Sequence, residues 1–184
     1  MANKKNVSPI DESMSVERND NVENKPIMWV VEKSTRSLFN KDTNGKIHIL
    51  QDELVDIQGI KFYGTPWCPS LRNWAFYGDK QHLLNRFNKI PDDVDVLITH
   101  CPPKYGLQGT VLETNWNYMN DFGCVELQQI IDERFTDKDM WILSGHIHSG
   151  KHEVEKMNNV KYRNCSIKNE DYEVAYQPFE FDLK

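Results

Sequence analysis

Apolar and polar residues alternate with different periods along this chain, and the changes of period mark its elements. Residues 1–25 carry no aromatic residue and few apolar ones, with Asn, Asp, Glu, Ser and Lys dominating. So polar a segment cannot bury enough surface to offset chain entropy, which predicts a disordered tail over 1–25. An apolar run from Ile27 to Val31, containing Trp29, continues to Leu38-Phe39. It reads as a short helix or as a strand remnant, so residues 26–46 form a linker or remnant element. Asp42-Thr43-Asn44-Gly45 is a turn signal within it.

From Ile47 the pattern becomes ordered. Lys46–Leu50 is a short strand candidate. Val55-Asp56-Ile57 and Ile60-Lys61-Phe62 alternate about Gln58-Gly59 and predict a β-hairpin with a two-residue turn. Asp79 can cap a helix running to Lys89, with Leu83, Leu84, Phe87 and Ile90 on one face and Pro91 after its end. Val94–Thr99 is a buried strand stopped by Pro102-Pro103. Residues 104–122 read as a long loop, a length that often carries function. Leu127, Ile130, Ile131 and Phe135 place a second helix over Glu126–Phe135, and Met140-Trp141-Ile142-Leu143 is a second buried strand. Two successive strand–helix–strand passages imply parallel pairing through right-handed crossovers. Helices on one side leave the other side of such strands partly exposed. Beyond Gly150 the period drops to two, predicting strands at 152–155 and 160–164 about a turn at Met157-Asn158-Asn159. Further strands are predicted at 172–176 and 179–181.

Both buried strands end in histidine. His100 follows Thr99, and Ser144-Gly145-His146-Ile147-His148-Ser149-Gly150 follows Leu143. Open α/β sheets place ligands at the carboxyl ends of their strands. Neutral imidazole is a common ligand for Zn, Fe, Ni and Cu, and glycine lets the backbone turn tightly beside an ion. His82, on the first helix, reads as a surface residue. The aromatic stretch Trp67, Trp74, Phe76 and Tyr77 reads as a core or rim cluster, with a wall that stacks on a base as the alternative.

The blocks Leu97-Ile98-Thr99-His100 with Pro102-Pro103, and Gly145-His146-Ile147-His148, resemble the last two signature blocks of the calcineurin-like metallophosphoesterases. Tyr63-Gly64-Thr65-Pro66-Trp67, Trp74-Ala75-Phe76 and Gly123-Cys124-Val125-Glu126-Leu127 extend the resemblance. They direct it to the branch of small metallophosphoesterase-domain proteins related to class III cyclic-nucleotide phosphodiesterases. The resemblance covers roughly residues 47–183 and makes 47–184 the C-terminal part of a calcineurin-like phosphoesterase domain. The fold it implies is α/β: the C-terminal part of a four-layer α/β/β/α metallophosphoesterase sandwich with mixed β-sheets. It implies metal-dependent hydrolysis of phosphomonoesters or phosphodiesters, cyclic nucleotides among them, with divalent ions (Mn, Fe, Zn or Mg) as cofactors. His100 and His146 would ligate one metal and His148 the other. Trp67, Tyr105 and Trp116 are substrate-binding candidates, and residues 104–122, which border the cleft in the family, are the candidate substrate lid.

The family's earlier blocks, Asp-x-His, Gly-Asp and Gly-Asn-His, are not found in residues 1–60, and the one Gly-Asp pair is Gly78-Asp79. These blocks carry the remaining ligands and the general acid. Three readings follow: one half of a split enzyme, an inactive or truncated remnant, or a protein-interaction module. The expected partners are a phosphate-ester substrate and either a second polypeptide carrying the N-terminal half or a second copy of the chain.

Composition narrows the rest. The net charge of −6 and pI of about 5.5 disfavour non-specific binding to nucleic acid or anionic membrane. No apolar run approaches a membrane span, and the N-terminus lacks the apolar region of a secretory signal. The four cysteines show no pair spacing and read as reduced thiols of a cytoplasmic protein.

Overall fold

The computed structural model describes residues 27–29, 47–69, 75–104, 106, 109–113 and 118–183. The expected tail over 1–25, the turn at 42–45, Leu38-Phe39 and Trp74 lie outside these residues.

The hairpin forms where alternation places it. β3 (Glu53–Ile57) and β4 (Ile60–Thr65) pair antiparallel with Ile57 opposite Ile60, leaving Gln58-Gly59 as the turn. Gln58 takes φ 57 and Gly59 φ 84, the positive values at both positions that a tight hairpin turn requires. Asp56 Oδ1 accepts from the Gly59 amide at 2.8 Å. Upstream, β1 (Ile27–Trp29) and β2 (Ile47–Ile49) pair in parallel, so the Ile27 run contains a strand.

Two parallel crossovers follow. After a short pair, β5 (Cys68–Pro69) with β6 (Tyr77–Gly78), the chain enters α1 (Lys80–Phe87). Asp79 caps α1 by accepting from the His82 amide at 2.8 Å, worth about 1 kcal/mol. α1 ends two residues before the predicted Lys89, where the Asn88 amide turns back to Leu84 O and Arg86 O. β7 (Val96–Thr99) then pairs parallel to β4. α2 (Val125–Arg134) leads to β10 (Met140–Ser144), parallel to β7. A tight hairpin, β11 (Glu155–Met157) and β12 (Val160–Asn164), closes the sheet with β12 parallel to β10. The sheet order is β11-β12-β10-β7-β4-β3, four parallel strands with an antiparallel strand at each edge. This mixed six-stranded sheet with two helices among the described residues is compatible with the C-terminal part of a metallophosphoesterase sandwich.

Register assigns the faces. Tyr63, Leu97, Ile142 and Tyr162 stand in one row and meet Leu83, Phe87, Leu127, Ile130 and Ile131 from the helices. Phe87, Leu97, Leu127 and Phe135 have no exposed surface. Each such side chain contributes about 1.5–3 kcal/mol by leaving water. The opposite row holds Phe62, Val96 and Trp141. It is not as bare as expected: Val96 is fully buried, and Phe179 and Phe181 lie 5.6 and 4.6 Å from the Trp141 ring. A Cβ on Gly64 would come within 2.3 Å of Leu50 Cβ, so Leu50 also packs against this face, and only glycine admits it.

Three expectations need correction. Residues 104–122 are not a plain loop: β8 (Thr110–Glu113) and β9 (Tyr118–Asp121) form an antiparallel hairpin inside them. The stretches 172–176 and 179–181 are not strands. The first carries a single bridge, Lys168 to Val174, and the second is irregular chain over Trp141. Alternation alone does not distinguish a ladder from an extended segment laid on a sheet. The last hairpin turns at Asn158-Asn159, with Met157 paired to Val160, and its first strand starts at Glu155 rather than His152.

Phe87 joins α1 to the whole apolar row. Phe87→Ala should lower unfolding stability by about 3–5 kcal/mol in urea titration. A loss under about 1 kcal/mol would show that the helix–sheet core is not the seat of stability.

Candidate metal centre

The two strands that deliver histidine are neighbours and end level. Gly145 N–H donates to the His100 carbonyl at 3.0 Å, joining the two chains two residues past the last pair of β7 and β10, Ile98 with Leu143. Thr99 Oγ1 donates to the Cys101 carbonyl at 2.8 Å and turns the chain away after His100.

Beyond Gly145 the backbone makes a three-residue turn. Ile147 N–H donates to the Gly145 carbonyl at 2.8 Å, and His146 between them has φ 68. A three-residue turn with its central residue at positive φ is rare and strained, and such strain collects at functional positions. The turn brings the His146 ring to 4.7 Å from the His100 ring, centroid to centroid. Burial and the facing His146 and His148 push the His100 imidazole down from its ordinary 6.5 to about 4. Solvent on the open side of His100 screens part of this push. His146 is also lowered, by burial first and then by His148, with Glu170 pulling the other way. Both rings are therefore neutral near pH 7, the form that offers a lone pair to a metal.

His148 is half-buried and set differently. Its Nδ1 lies 2.9 Å from the Asn169 carbonyl, which can only accept, so Nδ1 carries the proton and Nε2 is left as the donor atom. A metal-binding histidine is commonly oriented by such a carbonyl. Tyr172 packs edge-on against its ring at 5.4 Å. The His100–His146 pair thus fits a divalent ion by donor type, protonation state and proximity. Among the described residues no group of three His, Cys, Asp or Glu side chains is placed to hold one ion together.

A cleft of about 390 Å³ opens beside the pair, lined by Val111, Phe122, His146, Ile147, Ser149 and Glu170. Val111 belongs to β8 and Phe122 follows β9, so the hairpin inside 104–122 walls this cleft. A larger cleft, about 500 Å³, lies at the opposite ends of the strands around Asp95, Trp141 and Lys161, with no histidine.

The Trp67 ring is already engaged. Its Nε1 donates to the Asp52 carboxylate at 2.9 Å, the Arg86 guanidinium lies 4.3 Å over it, and His82 and Phe76 meet it edge-on. His82 accepts from Arg86 Nε at 3.3 Å and is half-buried rather than a surface residue. Tyr105 and Trp116 lie outside the described residues. Cys68, Cys101 and Cys124 are free and buried. Contacts with the thiols of Cys124 and Cys68, together with burial, hold the Cys101 thiol well above its usual range, so it is inert as a nucleophile. Asn164, Asn169 and Glu170 around the histidine loop, and the wall residues Val111 and Phe122, were not legible from motif spacing. The only local signal was an Asn ending an otherwise alternating strand, Val160–Asn164.

The chain resembles several known proteins. UPF0046 protein T07D4.2 of Caenorhabditis elegans is 33% identical over 171 residues, covering 88% of this chain and 41% of that protein. Human Metallophosphoesterase domain-containing protein 1 is 35% identical over 135 residues, covering 73% and 39%. UPF0046 protein C25E10.12 of C. elegans is 31% identical over 137 residues, covering 73% and 46%. The chain therefore spans less than half the length of these relatives. No family model matches it.

The pH behaviour of His100 tests the pair. With its folded pKa below 6.5, the unfolded chain binds more protons than the folded one between about pH 4 and 6.5, so stability should fall as pH drops through that window. Imidazole NMR should give a His100 midpoint below 6.5. A midpoint at or above that value would contradict a desolvated ring facing two other histidines.

Proposed function

The chain belongs to a metallophosphoesterase-type family, and we propose that it serves metal-dependent hydrolysis of phosphate esters by supplying imidazole ligands to the metal centre. The observation that supports this reading best is the His100–His146 pair, two neutral rings 4.7 Å apart at the ends of adjacent parallel strands. Family membership implies dependence on divalent ions in general; Mn, Fe, Zn and Mg are all compatible with the reading.

On this reading His100 and His146 hold one ion and His148, with Nε2 open, holds the other. When bound, divalent ions neutralise phosphate charge and lower the pKa of water. The chain's own residues do the placing. The Gly145–His100 hydrogen bond levels the two strands, the turn at His146 aims its ring, and the Asn169 carbonyl fixes the His148 tautomer. Val111 and Phe122 give the adjoining cleft an apolar wall that excludes water from one side of a bound ester. The substrate class is a phosphomonoester or phosphodiester, cyclic nucleotides included.

A catalytic zinc site uses three protein ligands, and a two-ion site more. The remaining ligands and the general acid therefore come from outside the described residues. We assign them to a second polypeptide carrying the Asp-x-His, Gly-Asp and Gly-Asn-His blocks, this chain being one half of a split enzyme.

With Mn²⁺, the chain alone should hydrolyse bis-p-nitrophenyl phosphate very slowly or not at all. Adding a polypeptide with the three blocks should raise the rate at least about 10²-fold. His100→Ala, His146→Ala and His148→Ala should each abolish the gain. Robust turnover by the chain alone, lost in His148→Ala, would overturn the division of ligands. No turnover in any combination would favour a catalytically inactive interaction module.

A further inference from the structure

We infer that Asn164 is the positioning residue of the histidine loop and that Glu170 fastens the loop's far end; as far as metal is concerned, this rests on the reading that His146 and His148 are ligands. The turn at His146 has an internal hydrogen bond, but a residue with a Cβ at φ 68 does not keep that conformation unaided. Something outside the turn must hold it. The Ile147 carbonyl, one residue past His146, accepts from Asn164 Nδ2 at 2.7 Å. Asn164 has no exposed surface, and its Oδ1 accepts from the Ser166 amide at 3.0 Å. Both ends of its amide are thus used, which sets the orientation of the group. It ends β12 directly opposite Ser144, and the Cys165 amide donates to the Ser144 carbonyl at 2.6 Å. Asn164 therefore reaches from one rigid strand to the turn leaving the next.

The residues after β12 finish the fastening. The Asn169 carbonyl takes the His148 Nδ1 proton. Glu170 Oε1 accepts from the Ser149 amide at 3.0 Å and from Ser149 Oγ at 2.7 Å. Three consecutive loop residues, Ile147, His148 and Ser149, are tied to residues 164, 169 and 170. Asn164 spends both ends of its amide on backbone groups and Glu170 spends Oε1 on Ser149; each acts through the backbone that carries a histidine.

Isosteric exchange separates positioning from bulk packing. Asn164→Asp keeps the shape and the acceptor for Ser166, but sets an oxygen against the Ile147 carbonyl, and two acceptors repel. Glu170→Ala removes both bonds to Ser149, and Glu170→Gln retains an acceptor for them. Two readouts apply to the full chain, with thermal melting as the folding control: visible-absorbance titration with Co²⁺, and the nuclear Overhauser contact between the His100 and His146 rings without metal. Asn164→Asp should bind Co²⁺ about tenfold or more weakly and lose the ring contact. Glu170→Ala should weaken Co²⁺ binding by several-fold, and Glu170→Gln should restore most of it. A folded Asn164→Asp that keeps the ring contact overturns the inference. If Asn164→Asp does not fold, Glu170 decides: Co²⁺ binding and a His148 ring signal unchanged in Glu170→Ala would overturn it. Should the unaltered chain bind no Co²⁺, the metal reading fails by itself, and the metal-free ring contact and ring signals still judge the positioning.

Discussion

The hydrogen bond from the Gly145 amide to the His100 carbonyl, 3.0 Å long, is the constraint on which the site depends. Parallel strands twist relative to one another by roughly 20–25° on average, so groups just past two strand ends diverge unless something ties them. Here one further backbone bond joins the two chains two residues beyond their last pair. His100 and His146 leave the sheet at one level because their backbones are still joined. The bond is secure because the strands cannot slip: Leu97 and Ile142 sit opposite each other under both helices. A one-residue slip would turn these side chains to the other face and present polar or mismatched groups to the core. Burial of the apolar row thus fixes the register, the register fixes the strand ends, and the strand ends bring two imidazoles together.

A second constraint holds the β3–β4 edge of the sheet, at the same strand ends as the histidines, and accounts for Trp67. Asp52, at φ 54, has a side chain only 8% exposed, and it accepts from Thr65, Trp67 and Arg86. An unpaired carboxylate so placed would be strongly unfavourable; two neutral donors and a guanidinium offset its desolvation. The network ties the residue before β3 to the end of β4 and to α1, so the hairpin and the first helix move as one piece. The Trp67 ring is the middle of that connection, between Asp52 and the Arg86 cation. An aromatic residue next to a catalytic-looking block is easily read as a substrate platform, but this ring already has partners on its edge and on its face.

Much of the fold was written in local pattern. The turn at Gln58-Gly59, the Asp79 cap, both helices, the two buried strands and their parallel order follow from period, capping chemistry and the handedness of crossovers. The histidines were legible because His100 directly follows one apolar run and His146 and His148 lie just past the other, in blocks that resemble a family's signature. What escaped notice depends on contacts far apart in sequence. The 104–122 hairpin lacks a compact turn signal, because its strands are joined by four residues rich in Asn and Thr. Tyr172–Tyr176 and Phe179–Phe181 have strand-like alternation but no partner ladder; the second pair of rings packs on Trp141 instead. Asn164 and Glu170 carry no motif, since their value lies in which carbonyl and which amide they meet across the fold.

The electrostatics of His146 show how these contacts combine. Burial and the neighbouring His148 favour its neutral form, and Glu170 favours the charged one. Burial is the larger effect, and the Glu170 carboxylate is already turned to the Ser149 amide and hydroxyl. The carboxylate keeps its charge while it accepts from these donors, and its pull on His146 is smaller than the push of burial. The loop therefore keeps an anionic fastener without protonating the ring it fastens. Asn164 achieves the same on the other side with no charge at all, in a place with no solvent to screen one. A carboxylate there would face the Ile147 carbonyl and sit near the histidine turn at low dielectric, where its field would be strongest. Neutral fastening at the buried Asn164 and charged fastening where the loop meets solvent leave His100 and His146 neutral, and a protonated imidazolium would have no lone pair to donate.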